Sequence, residues 1–299
     1  MISAQMDQNA ESLRLIARAF TRPVFATMAK TGRYREPLSF LFRRRIAVVN
    51  ESSKATLGQW FDDAWQQLSS TYRNEYVYKN ELATRLVFGR HSPRTAGFQA
   101  ELPVGRSIVD VAIANGTSTA YEIKTEFDTS RRLQTQTNDY LKVFDKVYVV
   151  THPAHVSRYE QELDPRVGLI ILSPRLSLKP FREAESNIQN VDPRTVFRCL
   201  RRDEYVKAVT DLFGIVPSLP NGHISRYCES LFSTLSPEAA HGAFVKAIRA
   251  RTTDKSTVDF VAQLPSSLRA LGYATPLSRK QRMTVLDLLA QPAGLALQT

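Results

Sequence analysis

Apolar residues Leu13, Ile16, Ala17 and Phe20 recur at the spacing of one helical face, and GQWFDDAWQQLSS (58–70) repeats that amphipathic period. The first 70 residues are therefore expected to be helical, although FLFRRRIAVV (40–49) mixes apolar and basic residues and fits neither period. TYRNEYVYKNELATRLVFG (71–89) is free of Gly and Pro until Gly89, which predicts a helix stopped at that glycine. After the turn-rich RHSPRTAG (90–97), FQAELPV (98–104) and SIVDVAIA (107–114) read as strands. Ile108, Val109, Val111 and Ile113 supply β-branched bulk to the second. Asn115-Gly116 is a strong hairpin signal leading into STAYEIK (118–124), so these two strands are expected to pair antiparallel.

DTSRRLQTQTNDYLKVF (128–144) predicts a helix capped by Asp128 or Thr129, with Leu133, Thr137, Tyr140, Leu141 and Phe144 along one stripe. KVYVV (146–150) and VGLIILS (167–173) read as buried strands on either side of a helix, HVSRYEQEL (155–163). The order α-β-β-β-α-β-α-β predicts a mixed sheet: a hairpin start, then crossovers that favour parallel neighbours. The pattern after residue 175 is helical, broken by prolines and without a chemical motif. The expected organisation is thus an N-terminal helical region (1–70), an α/β core (71–175) and a C-terminal helical region (176–299).

Composition narrows the class. A chain of 299 residues with 43% hydrophobic residues can bury a core, which excludes a disordered or low-complexity protein. Two cysteines, Cys199 and Cys228, cannot build a disulfide framework and fit a reducing compartment. No apolar run approaches the roughly 20 residues of a bilayer span, and the N-terminus does not read as a signal peptide. A cytoplasmic protein without a membrane partner is expected. The net charge of +11 points to a polyanionic partner. The basic excess is smallest in 71–175, where the acids concentrate.

Within that core, Asp110 lies on one strand of the hairpin and Glu122 and Lys124 on the other. Residues two apart on a strand share a face, so Glu122 and Lys124 point the same way. An acid and a lysine on a buried strand are expensive without a purpose. Asp110 beside Glu122 would repel unless a divalent cation sat between them. Two carboxylates, the Ile123 main-chain carbonyl and waters suit a hard ion such as Mg²⁺ or Mn²⁺. Lys124 beside such an ion can orient a water and stabilise charge on a phosphate, which is the chemistry of phosphodiester hydrolysis.

D-x11-E-x-K across a hairpin, in an α-β-β-β-α-β setting, resembles the PD-(D/E)XK nuclease superfamily. Val109-Asp110 stands where many members have Pro-Asp. Gln136-Thr-Asn-Asp-Tyr140 matches the Q-x-x-x-Y signature of the RecB-like branch; residues four apart share a helical face. The resemblance covers about residues 71–173. It implies a restriction-endonuclease-like core and a metal-dependent nuclease acting on DNA more than RNA, of endonuclease type, in bacterial genome defence or mobile-element biology. It implies that Asp110 and Glu122 bind the metal, that Lys124 assists the attacking water, and that Gln136 and Tyr140 brace the site. The family often adds an acid from the first core helix. Glu75 and Glu81 are both candidates, but lie about 240° apart around a helix. Glu75 is preferred, because NEYVYKN around it resembles small bacterial members of the superfamily.

Plainer readings stand beside these. D…E-x-K also occurs on solvated strands, and Tyr140 doubles as a core residue beside Leu141 and Phe144. Arg131 and Arg132 either grip a phosphate or form a solvated helix end. Arg43, Arg44 and Arg45 form either a nucleic-acid patch or a basic edge. Glu126 and Asp128 are read as loop acids before a helix in preference to a second metal site. His152 and His155 are read as loop residues, and Cys199 and Cys228 as buried small hydrophobes. No phosphate-loop motif occurs, so any motor would be a separate protein. A homodimer, a cognate inhibitor and a defence partner are further expectations. The rival function is a catalytically silent nucleic-acid-binding or regulatory subunit that keeps the fold.

Overall fold

A computed structural model describes residues 2–43, 55–215 and 218–293. In chain order its elements are α1 (Ile2–Ala19), α2 (Arg22–Thr31), α3 (Ser39–Arg43), α4 (Leu57–Thr71), α5 (Glu75–Leu82), β1 (Gly97–Val104), β2 (Ser107–Asn115) and β3 (Thr117–Lys124). Next come α6 (Leu133–Tyr140), β4 (Lys146–Thr151), α7 (Val156–Glu162), β5 (Gly168–Leu172) and β6 (Leu178–Arg182). Helices α8 (Pro193–Cys199), α9 (Arg202–Phe213), α10 (Asn221–Phe232), α11 (Pro237–Ala250), α12 (Lys255–Gln263), α13 (Arg269–Ala274) and α14 (Arg279–Leu289) complete the chain. No described helix is long and apolar enough to cross a membrane.

The chain divides into two compact units, Met1–Leu86 with Lys255–Thr299, and Val87–Asp254. Boundaries at 70 and 175 therefore do not coincide with those of the units. In the first unit Leu13, Ile16, Ala17 and Phe20 are all buried, as their spacing predicts. Phe20 stacks on Tyr76 with ring centroids 5.3 Å apart and meets Phe61 edge-on at 5.5 Å. The Tyr76 hydroxyl donates to the Ser267 carbonyl (2.6 Å), and Asn80 donates to the Ser266 carbonyl (2.9 Å) while accepting from the Ala270 N–H (3.1 Å). Contacts between residues almost two hundred positions apart thus join both ends of the chain in one unit, an arrangement that no local pattern announces. Helix α5 starts at Glu75, capped by Asn74, and runs through Gly89 as π-helical turns (Ala83–Arg90), so Gly89 does not stop it. Arg44 and Arg45 lie outside the described residues; Arg43 is exposed and donates to Ser39 Oγ (3.1 Å).

The second unit is built on a six-stranded mixed sheet in the order β1-β2-β3-β4-β5-β6. Strands β1, β2 and β3 form an antiparallel meander, β3, β4 and β5 run parallel, and β6 returns antiparallel to β5. The expected strands and their mixed pairing are present. Strand β6 falls in the region expected to be helical. LKPFR is short, polar and mostly exposed, with a lysine and a proline at the sheet edge, so it carries no strand alternation.

Turn geometry decides which residues meet across the hairpin. A two-residue Asn-Gly loop would pair Ala114 with Thr117; instead Ala114 pairs with Ser118 and Asn115 with Thr117, the turn centring on Gly116 at φ 75°. A shift of one residue changes every cross-strand neighbour. The ladder in this register ends at Val111↔Tyr121, and Asp110 and Glu122 are the next residues on the two strands.

A helical layer covers the sheet: α11 packs across β1, β2 and β3, α8 on β1, α6 on β2 and α7 on β5. Small residues Ala112, Ala114 and Ala120 make room for Phe144 and Phe244, whose rings meet edge-on at 5.3 Å. Gly97 lets α11 come close, since a Cβ there would lie 2.6 Å from Arg249 Cα. Helix α6 is shorter than the expected 128–144. Neither Asp128 nor Thr129 caps it; Asp128 instead accepts from the Thr125 N–H and hydroxyl (2.8 and 2.7 Å), spending those residues in a turn.

At the start of β4, buried Asp145 accepts from Thr117 Oγ1 (2.6 Å), Ser186 Oγ (2.6 Å) and the Asn187 N–H (3.0 Å). Burial opposes its ionisation, but these donors outweigh it and hold the carboxyl below the usual aspartate range. A depressed pKa adds stability that is present above the unfolded-state pKa and lost as pH falls through the folded one. Asp145→Asn is expected to cost about 1–3 kcal/mol at pH 7 in urea titrations. The wild-type advantage should shrink on acidification below the ordinary aspartate range, and an advantage independent of pH would refute this role.

Candidate active site

Asp110, Glu122, Lys124, Gln136 and Tyr140 come together within the second unit. Asp110 is half-buried, and its Oδ2 accepts from the Ile123 N–H (2.7 Å), so a side chain takes over where the β2–β3 ladder ends. Glu122 is 1% exposed. Its Oε1 accepts from Lys124 Nζ (2.7 Å) and its Oε2 from the Tyr140 hydroxyl (2.7 Å). Lys124 Nζ also donates to Gln136 Oε1 (3.1 Å). Gln136 and Tyr140, one turn apart on α6, therefore hold the lysine and the glutamate respectively.

Tyr140 is fully buried and has two acceptors at 2.7 Å, Glu122 Oε2 and the Ile108 carbonyl, for a single proton. Burial, then the adjacent Glu122 charge, pushes its hydroxyl far above the usual phenol range, so it stays a donor. One residue earlier, Asp139 accepts from Ser107 Oγ (2.9 Å), the Arg106 N–H (3.2 Å) and Lys142 Nζ (3.0 Å). Burial opposes ionisation of Asp139, but its three donors prevail and keep its carboxyl low. Asp139 and Tyr140 thus pin α6 onto two consecutive residues at the start of β2, which fixes where Gln136 points. Sequence reasoning missed Asp139; inside Q-x-x-x-Y it has no distinguishing pattern.

The remaining candidates are placed differently. Arg131 and Arg132 are exposed in the turn before α6, and Arg132 occupies its cap position without a side-chain cap. Glu75 belongs to the other unit, is 53% exposed and pairs with Lys79 (2.5 Å). Glu81, on the same helix, is the buried acid: it holds Arg85 at 2.6 Å, and burial pushes its carboxyl up. His152 caps a 3₁₀ turn (Pro153–His155) and lies 4.0 Å from Glu126. Cys199 and Cys228 are buried and unbridged. Glu101, at φ 53°, stands opposite Asp110, between the pairs Ala100↔Val111 and Leu102↔Val109.

Among the described residues no group of three or more His, Cys, Asp or Glu side chains is placed to hold a metal. The donor set here is two carboxylates, Asp110 and Glu122, next to the main chain of Ile123. All are hard oxygen ligands of the kind Mg²⁺ or Mn²⁺ accepts alongside waters, and in donor type they fit such an ion. Carboxylates, an ammonium, an amide and a phenol at one strand end can bind a phosphate-bearing ligand through a cation and hold a proton beside it.

A family model described as bacteriophage P4 protein cII matches residues 68–271. Among known proteins, protein cII of Enterobacteria phage P4 is 38% identical over 61 residues, 20% of this chain and 23% of that protein. The aligned stretch thus spans less than a quarter of the relative's length. No solved structure matches the chain.

The Lys124–Glu122 pair is open to a direct stability test, because removing one partner of a buried ion pair leaves an uncompensated charge. Lys124→Met is expected to destabilise the protein by about 3–5 kcal/mol in chemical denaturation at pH 7. Adding Glu122→Gln should restore most of that loss. A loss below about 1 kcal/mol would mean that the carboxylate is not held as described.

Proposed function

The chain belongs to the bacteriophage P4 protein cII family, and we propose that its charged strand-end cluster is the centre of a metal-dependent nuclease. The observation that carries this reading is Asp110 bonded to the Ile123 N–H next to Glu122, with Lys124 held between Glu122 and Gln136. The strand order supports the finer assignment of the sheet: an antiparallel β1-β2-β3 meander, helix α6, then β4 parallel to β3 is the order of a restriction-endonuclease-like PD-(D/E)XK core.

In this reading Asp110 and Glu122, with the Ile123 carbonyl, hold Mg²⁺ or Mn²⁺. When bound, such an ion draws charge from the phosphate and activates a water. The chain's own residues do the rest. The Ile123 N–H fixes the orientation of the Asp110 carboxylate. Tyr140 fixes the orientation of Glu122. Lys124, steadied by Gln136, holds its ammonium where negative charge grows on the phosphate, and is placed to exchange a proton with the water. Arg131 and Arg132, ahead of α6, hold flanking phosphates. DNA is the proposed substrate, and the basic charge of the chain favours such a polyanion. The phage origin of the relative accords with mobile-element biology.

One observation favours a second reading. Both oxygens of Glu122 already have partners, Lys124 and Tyr140, so an incoming ion competes with the lysine. A protein in which the lysine prevails would bind nucleic acid without cutting it.

Cleavage of supercoiled plasmid, linear duplex and single-stranded DNA with Mg²⁺, Mn²⁺ or EDTA separates the two. The nuclease reading expects metal-dependent cutting that Asp110→Ala abolishes and Lys124→Ala slows by about 100-fold or more while binding persists. No cutting of any substrate, with salt-sensitive binding equal in wild type and both variants, would hand the site to the second reading.

A further inference from the structure

Two large apolar side chains close to the charged cluster in the chain are more than half exposed, Ile108 at 55% and Phe127 at 59%. A single exposed apolar residue needs no explanation, but both of these border the same site. The Ile108 carbonyl receives the hydroxyl of Tyr140, and Phe127 follows Lys124 by three residues.

The backbone turn at Phe127 is held in place. It is closed by the Thr125 N–H and hydroxyl donating to Asp128 Oδ2, by the Phe127 N–H donating to Thr125 Oγ1 (3.2 Å) and by the Asp128 N–H donating to the Thr125 carbonyl (3.3 Å). Thr125 itself is 4% exposed, so the turn is rooted in the core. A ring projecting from a fixed turn loses little freedom when it binds a ligand. Exposed Arg131 and Arg132 follow directly. An aromatic face, guanidinium groups and a phosphate-directed lysine within nine residues form the combination that grips nucleic acid by stacking and by backbone charge. Paired bases in a duplex hide their faces; unpaired ones offer them.

We propose that Phe127 is a stacking platform for an unpaired nucleobase beside the phosphate bound at Lys124, so that the preferred substrate is single-stranded DNA or a frayed duplex end. Ile108 supplies the apolar contact on the β2 side. This inference rests on the nuclease reading and deepens it by naming the substrate class.

The test uses the full chain in EDTA, with a single-stranded oligonucleotide carrying 2-aminopurine and a blunt duplex of the same sequence. Phe127→Ala is expected to weaken single-strand binding roughly five- to a hundredfold and to abolish 2-aminopurine quenching. Phe127→Trp should keep both, and duplex affinity should change less than twofold. Unchanged thermal unfolding of Phe127→Ala shows that the fold is intact. Single-strand binding by Phe127→Ala equal to wild type overturns the stacking role, and if wild type still cuts DNA with Mg²⁺ the nuclease reading survives. Binding that depends on Phe127 in a wild-type protein that cuts nothing supports the platform and removes the nuclease. No binding of either DNA by wild type overturns the platform, and the absence of cutting with Mg²⁺ as well overturns the nuclease reading too.

Discussion

Burying the Glu122 carboxylate inside a sheet costs several kcal/mol of lost hydration, and much of the second unit is organised to offset that cost. Lys124, on the same strand face, supplies the opposite charge, and Tyr140 satisfies the second oxygen. Neither partner would stay in place alone. The lysine is steadied by Gln136, and the tyrosine by the packing of α6 on β2. The helix is in turn fixed by Asp139 and by the hydroxyl of Tyr140 at the start of β2. One buried charge therefore ties together two strands and a helix, and the candidate site consists of the groups that compensate it.

Strand β3 carries a polar network at each end. Its first residues, Thr117 and Ser118, meet Asp145 and His241, with Ser118 Oγ 2.9 Å from His241 Nε2. Burial lowers the pKa of that histidine, and the nearby Asp145 charge offsets this only in part. The last residues of β3 carry Glu122 and Lys124. The first network is mostly buried, with Thr117 half-buried and Ser186 exposed, and the second is followed in the chain by exposed Phe127 and the exposed Arg131–Arg132 turn. Where β3 and β4 run parallel, ligands are favoured beyond the carboxyl ends of the strands. Glu122 and Lys124 lie at that end of β3.

Much of this was legible along the chain. Apolar spacing marked α1 and the buried stripe of α6, β-branched runs marked β2, β4 and β5, and Asn115-Gly116 marked the hairpin. The five central residues of the site were legible because acids and a lysine on otherwise apolar strands conflict with their surroundings, and because Gln136 and Tyr140 sit four apart. Strand β6 was not legible, since an edge strand has no need of alternation. Nor was the early end of α6, because Asp128 can cap a helix or close a turn, and only its neighbours decide.

The sequence by itself determined most of the elements, the chain order of the first five strands, and which side chains conflict with an apolar setting. Those properties arise from residues a few positions apart. Only the tertiary structure decided the rest. Centring the turn on Gly116 set the register that ends at Val111↔Tyr121, just before Asp110 and Glu122, a choice that one residue of slip would change. Contacts such as Tyr76–Ser267 assembled the first unit from both ends of the chain. The two acceptors of the Tyr140 hydroxyl, Glu122 and the Ile108 carbonyl, likewise depend on a helix meeting two strands, and no local pattern encodes such meetings.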